Sequence, residues 1–127
     1  MQLETVRAID PKDAPALAPD NRPIDLVHLA RMTLGDRSLE REVLQLFDRQ
    51  ATLLIARMRS TTPEDVATLA HTLKGSARGI GAWRVARAAE AVEMAGSADA
   101  EIEKALDQLA ATADGARALI AELLLPN

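Results

Sequence analysis

One helical segment of the chain carries an unusual set of polar residues: Val66-Ala67-Thr68-Leu69-Ala70-His71-Thr72-Leu73-Lys74-Gly75-Ser76-Ala77-Arg78. At 100° per residue, Val66, Leu69, Ala70, Leu73, Ala77 and Ile80 form one apolar stripe, and His71 lies about 200° from both Leu69 and Leu73. The histidine therefore points outward. Ala67, Lys74, Gly75 and Arg78, at offsets of −4, +3, +4 and +7, share its face. An exposed imidazole is partly unprotonated near neutrality and can form a covalent bond through a ring nitrogen. Gly75 stands mid-helix in a chain with 25 alanines, where alanine would be about 1 kcal/mol better. A glycine one turn beyond the histidine removes a side chain that would crowd the ring. Lys74 brings an ammonium within reach of an oxyanion on that ring. No Asp or Glu occurs from Val66 through Ala89, whereas Lys74, Arg78, Arg84 and Arg87 all do. Steric clearance, positive charge and an outward ring together describe a phosphoryl acceptor, whose chemistry is mostly positioning and charge compensation.

The elements that present this face are legible from caps and periodicity. Asp25 caps a short helix that Gly35 ends. A longer helix runs from Asp36 or Ser38 to Arg59, with Leu39, Val43, Leu46, Phe47, Leu53 and Leu54 as its apolar positions. Thr62-Pro63-Glu64-Asp65 supplies an N-cap, a first-turn proline and two acids, the start of the His71 helix. That helix is expected to persist to about Arg78, with Gly79 and Gly81 as stops. A fourth helix over 82–95 turns Trp83, Val85, Ala86, Ala89 and Val92 inward. A last one, over 99–124, carries Ile102, Leu106, Leu109, Ala113, Ala116, Ile120 and Leu123. Short connections make neighbours antiparallel. The expected fold is all-α: an antiparallel up-down four-helix bundle with a short additional N-terminal helix.

Length and composition agree with one such domain. The chain has 127 residues, few aromatics and no tyrosine, which favours helices over sheets. Four of its six prolines, Pro11, Pro15, Pro19 and Pro23, fall in residues 1–23. That segment is expected to be extended or mobile, with the bundle spanning 24–127. The absence of cysteine excludes disulfides, thiol nucleophiles and Cys-based metal sites. No apolar run reaches a membrane span, and the N-terminal MQLETVRAID lacks the pattern of a signal peptide. A cytoplasmic protein is expected. The net charge of −4 gives no general reason to expect nucleic acid. His28 and His71 lack metal-ligand spacing, so no metal site is expected; His28 is an ordinary surface residue on this reading.

The run Ala70-His71-Thr72-Leu73-Lys74-Gly75-Ser76-Ala77, followed by Gly79 and Gly81-Ala82, resembles the histidine phosphotransfer (HPt) domain of bacterial phosphorelays. The likeness covers roughly residues 24–125. It implies a four-helix bundle, with His71 as the phosphorylated histidine, Lys74 as the stabiliser of the phosphoryl group and Gly75 as the residue that leaves room for it. It also implies partner contacts at Ala67, Ser76 and Arg78. The partners implied are receiver domains of response regulators and a hybrid sensor histidine kinase. No cofactor is implied for this chain, and Mg²⁺ belongs to the partner receiver. Many members of the family place a glutamine near the histidine from the next helix. Alignment through Gly79-Ile80-Gly81 puts Glu93 there, and a carboxylate close to a phosphohistidine is unfavourable, so Glu93 is kept out of the expected site.

Two other classes compete. Sensor kinase dimerisation domains also use a helical histidine, but they usually have an acid directly after it and a downstream proline. Here Thr72 follows His71, no proline occurs between Pro63 and Pro126, and no nucleotide-binding glycine loop is present. The second alternative is a non-catalytic helical adaptor whose basic face, Arg78, Arg84 and Arg87, grips an acidic protein partner. A carrier is the favoured reading: a monomer, not an enzyme, without autokinase activity, that accepts a phosphoryl group on His71 from the phospho-aspartate of one receiver and relays it to another.

Overall fold

The computed structural model describes residues 22–126. The proline-rich segment 1–23 lies outside the described residues except for its last two positions. Five helices follow in order: α1 (Leu26–Met32), α2 (Arg37–Met58), α3 (Pro63–Ile80), α4 (Trp83–Glu93) and α5 (Asp99–Leu123), with no strand among the described residues. α3 packs on α4 and α2, α5 packs on α4 and α2, and α1 rests on α3. The result is the expected antiparallel four-helix bundle with a short helix at its front.

Local chemistry sets the helix ends. The Asp25, Asp36 and Thr62 side chains accept the backbone N–H groups of His28, Leu39 and Asp65 at 3.1, 3.0 and 3.3 Å. Each satisfies one otherwise orphaned donor of a first turn. α3 runs through Gly79 and ends only at Gly81, which adopts φ 84°. Gly79 is thus helical rather than a stop. Gly81 is demanded twice over. Its left-handed backbone disfavours other residues, and a Cβ there would lie 2.9 Å from the Asp25 carbonyl oxygen.

That close approach belongs to a clasp between α1 and the α3–α4 turn. The Asp25 N–H donates to the Gly81 carbonyl at 2.8 Å, and the Trp83 indole N–H donates to Asp25 Oδ2 at 3.0 Å. The His28 ring meets Trp83 edge-on, with centroids 4.9 Å apart. The indole hydrogen bond is the main reason the Asp25 carboxyl titrates below its ordinary range. His28 is therefore half-buried packing rather than plain surface, and Trp83 is half-buried rather than fully core. On the opposite edge of α2, Arg117 Nε meets Asp48 at 2.6 Å and Arg59 meets Asp107 at 3.2 Å, tying α2 to α5.

The core is built from small residues. Ala70, Ala77, Ala86, Ala89, Ala113 and Ala116 are all buried, which lets helix axes approach closely around Leu73, Val85, Val92, Leu109 and Ile120. The apolar stripes of α3, α4 and α5 fall inside as read from the sequence, with Leu69 and Leu123 only half-buried. On α2 the reading needs correction. Leu44, Phe47, Ala51, Leu54 and Met58 are buried, whereas Leu39, Leu46 and Leu53 are 40%, 57% and 58% exposed. These three leucines repeat every seven residues, about 115° around the helix from the core. α2 thus carries two apolar stripes, and only one of them faces the core.

Candidate functional site

His71 projects from the middle of α3, where the backbone is fully hydrogen-bonded and cannot adjust easily. Its side chain is 68% exposed. Glu93, at the last turn of α4, reaches it: Nδ1 of His71 lies 2.8 Å from Glu93 Oε2. The other carboxylate oxygen, Oε1, is 2.8 Å from Lys74 Nζ, and the Lys74 side chain is only 12% exposed. One carboxylate therefore binds both His71 and Lys74. Lys74, more than His71, holds the Glu93 carboxyl below its ordinary titration range, against the opposing effect of its burial. Because Glu93 stays ionised and can only accept, Nδ1 must carry the proton. In the neutral ring, Nε2 then bears the free lone pair, on the edge away from Glu93.

The remaining positions separate into those on this face and those off it. A Cβ on Gly75 would meet nothing within 4 Å. The glycine is therefore explained neither by close helix packing nor by a clash with the imidazole as it stands. What it leaves open is the space one turn along from the ring, where a group attached to Nε2 could extend. Ala67 is half-buried and Arg78 exposed, within about 40° of His71 on the helical projection. Ser76 is half-buried and lies about 140° away, on the edge toward α2. It is not brought together with His71.

Two inferences about charge change in space. The stretch from Val66 to Ala89 contains no acid in the sequence, but the next turn of α4 returns Glu93 to the histidine. Arg84 and Arg87 do not join the His71 face. They line a groove with Ala88, Gln108, Ala111 and Gly115, between α4 and α5. Arg84 is nine residues from Glu93, about 180° around α4. The expected cluster of four cations around His71 is therefore divided between two flanks, and Arg78 does not share one basic face with Arg84 and Arg87.

Sequence reasoning brought Glu93 to the right place and then discarded it on charge. No local signal retains it: Lys74 reads as a cation on the outward face of its helix, and only the packing of α4 on α3 buries that ammonium against Glu93. The surface stripe of Leu39, Leu46 and Leu53 was also missed, although its seven-residue repeat stands apart from the core spacing. The described residues contain no group of three or more His, Cys, Asp or Glu able to hold a metal ion. None of their helices is long and apolar enough to cross a membrane.

A helical bundle presenting an exposed histidine from mid-helix can carry a group on a ring nitrogen. A family model described as the Hpt domain matches residues 37–123, and the chain belongs to that family. Its members are phosphocarriers of phosphorelays that work with receiver domains rather than enzymes in the usual sense. Searches of the curated proteins and of the solved structures returned no match.

Proposed function

We propose that His71 accepts a phosphoryl group from the phospho-aspartate of one receiver domain and passes it to another. The observation that supports this most directly is the exposed ring, held through Nδ1 by Glu93 with Nε2 facing solvent. Nε2 attacks phosphorus, an N–P bond forms, and the acyl-phosphate O–P bond breaks, releasing the receiver's aspartate as a carboxylate. The ring becomes a phosphorylated imidazolium whose Nδ1 proton rests on Glu93. The reverse sequence, on a second receiver, returns the lone pair to Nε2. Glu93 fixes the tautomer and orientation of the ring. Lys74 neutralises Glu93, so the carboxylate does not oppose the arriving phosphoryl group, and Gly75 leaves room for it.

Docking uses Ala67 and Arg78 beside the histidine. Leu39, Leu46 and Leu53 add apolar area on the edge of α2 that faces away from α5. The chain binds no cofactor in this scheme; Mg²⁺ is supplied by the receiver. It acts as a cytoplasmic monomer, receives its phosphoryl group ultimately from a hybrid sensor histidine kinase, and has no autokinase activity.

The test is transfer from a labelled phosphorylated receiver to wild type and to His71→Gln. Acid-labile, alkali-stable label on wild type only is the expected result, with no label from ATP and Mg²⁺ alone. Equal labelling of the variant would overturn the assignment. Unlabelled wild type that still binds an acidic protein, equally well as His71→Gln, would establish the adaptor instead.

A further inference from the structure

The groove between α4 and α5 lies on the flank of α4 away from Glu93, and its volume is about 570 Å³. Ala88, Ala111 and Gly115 line it and contribute almost no side chain, while Arg84 and Arg87 add positive charge. Pro23 lines it too. The chain is pinned just beyond that point: Ile24 is completely buried, and the Asp25 N–H is bonded to Gly81. Whatever precedes Arg22 therefore starts at the groove.

The composition of that preceding segment matches the groove in charge and shape. Residues 1–21 hold four acids, Glu4, Asp10, Asp13 and Asp20, against two bases, Arg7 and Lys12. Ala14-Pro15-Ala16-Leu17-Ala18-Pro19 offers small residues, a backbone with few donors and one large apolar side chain. Leu17 is six Cα steps from Pro23, a reach of up to about 20 Å, enough to lay Leu17 along the groove that Pro23 helps to line. We propose that the chain's own residues 13–20 occupy this groove, with Leu17 over Ala111 and Gly115 and with Asp13 and Asp20 complementing Arg84 and Arg87. The segment then buttresses α4 from behind and leaves the His71 face open. This inference is independent of the phosphotransfer reading.

Gly115→Leu in the full chain tests it. A Cβ at Gly115 meets nothing within 4 Å, and leucine is a better helix former than glycine, so the bundle is retained while the groove is filled. Wild type should show methyl NOEs from Leu17 to Ala88 and Ala111, and Gly115→Leu should lose them. Tryptic cleavage after Lys12 should become about tenfold faster in that variant, the loss of one decade of docking equilibrium. Leu17→Ser, which touches no part of the bundle fold, should give the same acceleration, and phosphoryl transfer should be unchanged in both. A wild type without Leu17 NOEs to the bundle, cleaved as fast as the variants, would overturn the proposal. So would NOEs found only between differently labelled molecules, which would make a second copy the occupant.

Discussion

The molecule contains two histidines, each with an acidic residue close by, and the two arrangements differ in what the acid holds. Glu93 grips the His71 ring itself, at Nδ1, and leaves the rest of a 68% exposed imidazole in solvent. Asp25 takes the His28 backbone N–H and the Trp83 indole, while the His28 ring packs edge-on against that indole. A carboxylate on a ring nitrogen selects a tautomer and frees the other nitrogen for chemistry. A carboxylate on a backbone donor fixes a helix start. The histidine in the second arrangement is packing material. Proximity of an acid to a histidine is thus no mark of function until the atoms involved are known.

The sharpest contrast comes from removing each ring. His71→Gln should abolish labelling by a phosphorylated receiver and leave the melting curve in place, because the side chain is exposed. His28→Ala should do the reverse. It strips the edge contact from Trp83 and should cost about 1–3 kcal/mol of stability, while the folded fraction still transfers. Transfer assays and thermal melts on the same two variants check both halves, and a His28→Ala protein that is stable but inactive would break the comparison.

Next in size is the space beside the ring. Gly75→Leu should block transfer, since its side chain would occupy the room left for the phosphoryl group, with secondary structure unchanged by circular dichroism. Gly75→Ala should transfer nearly normally, because a Cβ there touches nothing, and should be more stable by up to about 1 kcal/mol. Normal transfer by Gly75→Leu would remove the steric role of the glycine.

Glu93 comes third. Glu93→Ala frees the ring and should slow transfer about 10- to 100-fold, the usual scale for losing a partner that orients a functional histidine. Lys74→Ala should slow transfer in the wild-type background by leaving Glu93 uncompensated beside the phosphoryl group. The same substitution should have a much smaller effect when introduced into Glu93→Gln. Equal effects in both backgrounds would show that Lys74 acts on the phosphoryl group directly. Single-turnover rates on the four proteins decide between these.

How much of this was legible before the structure depends on whether the signal was local. Asp25, Thr62-Pro63 and Gly81 mark helix ends through their own backbone chemistry; of the two starts open for α2 it is Asp36 that caps, and α3 passes through Gly79 to end at Gly81. The outward direction of His71 follows from helical period alone. The failures were matters of contact between elements. Glu93 and Lys74 are 19 residues apart, and only the packing of α4 on α3 shows that their charges cancel. Leu39, Leu46 and Leu53 are apolar at helical spacing, yet no helix among the described residues covers them. Periodicity finds stripes; it does not say which one faces the core.

The smallest expected effect tests the other half of the comparison, the clasp around Asp25. Trp83→Phe keeps an aromatic edge for His28 and removes only the indole N–H that donates to Asp25. Asp25 is only half-buried, so water replaces part of the lost bond and the cost should be about 1 kcal/mol, below that of a fully buried charged hydrogen bond. The pH dependence carries more information than the size. The Asp25 carboxyl titrates lower in the folded protein than in the unfolded chain, chiefly because the indole favours the ionised form. Its contribution is therefore fully present above the unfolded carboxylate range and is lost as pH falls through the lower, folded value. Wild type should accordingly lose this increment in acid, whereas Trp83→Phe, having little of it to lose, should differ from wild type least at the lowest pH. Urea unfolding of both proteins at neutral pH and in acid reads the difference directly. If the gap between the two persists unchanged into acid, the indole stabilises the fold by packing alone, and the Asp25 carboxylate is not what holds α1 to the α3–α4 turn.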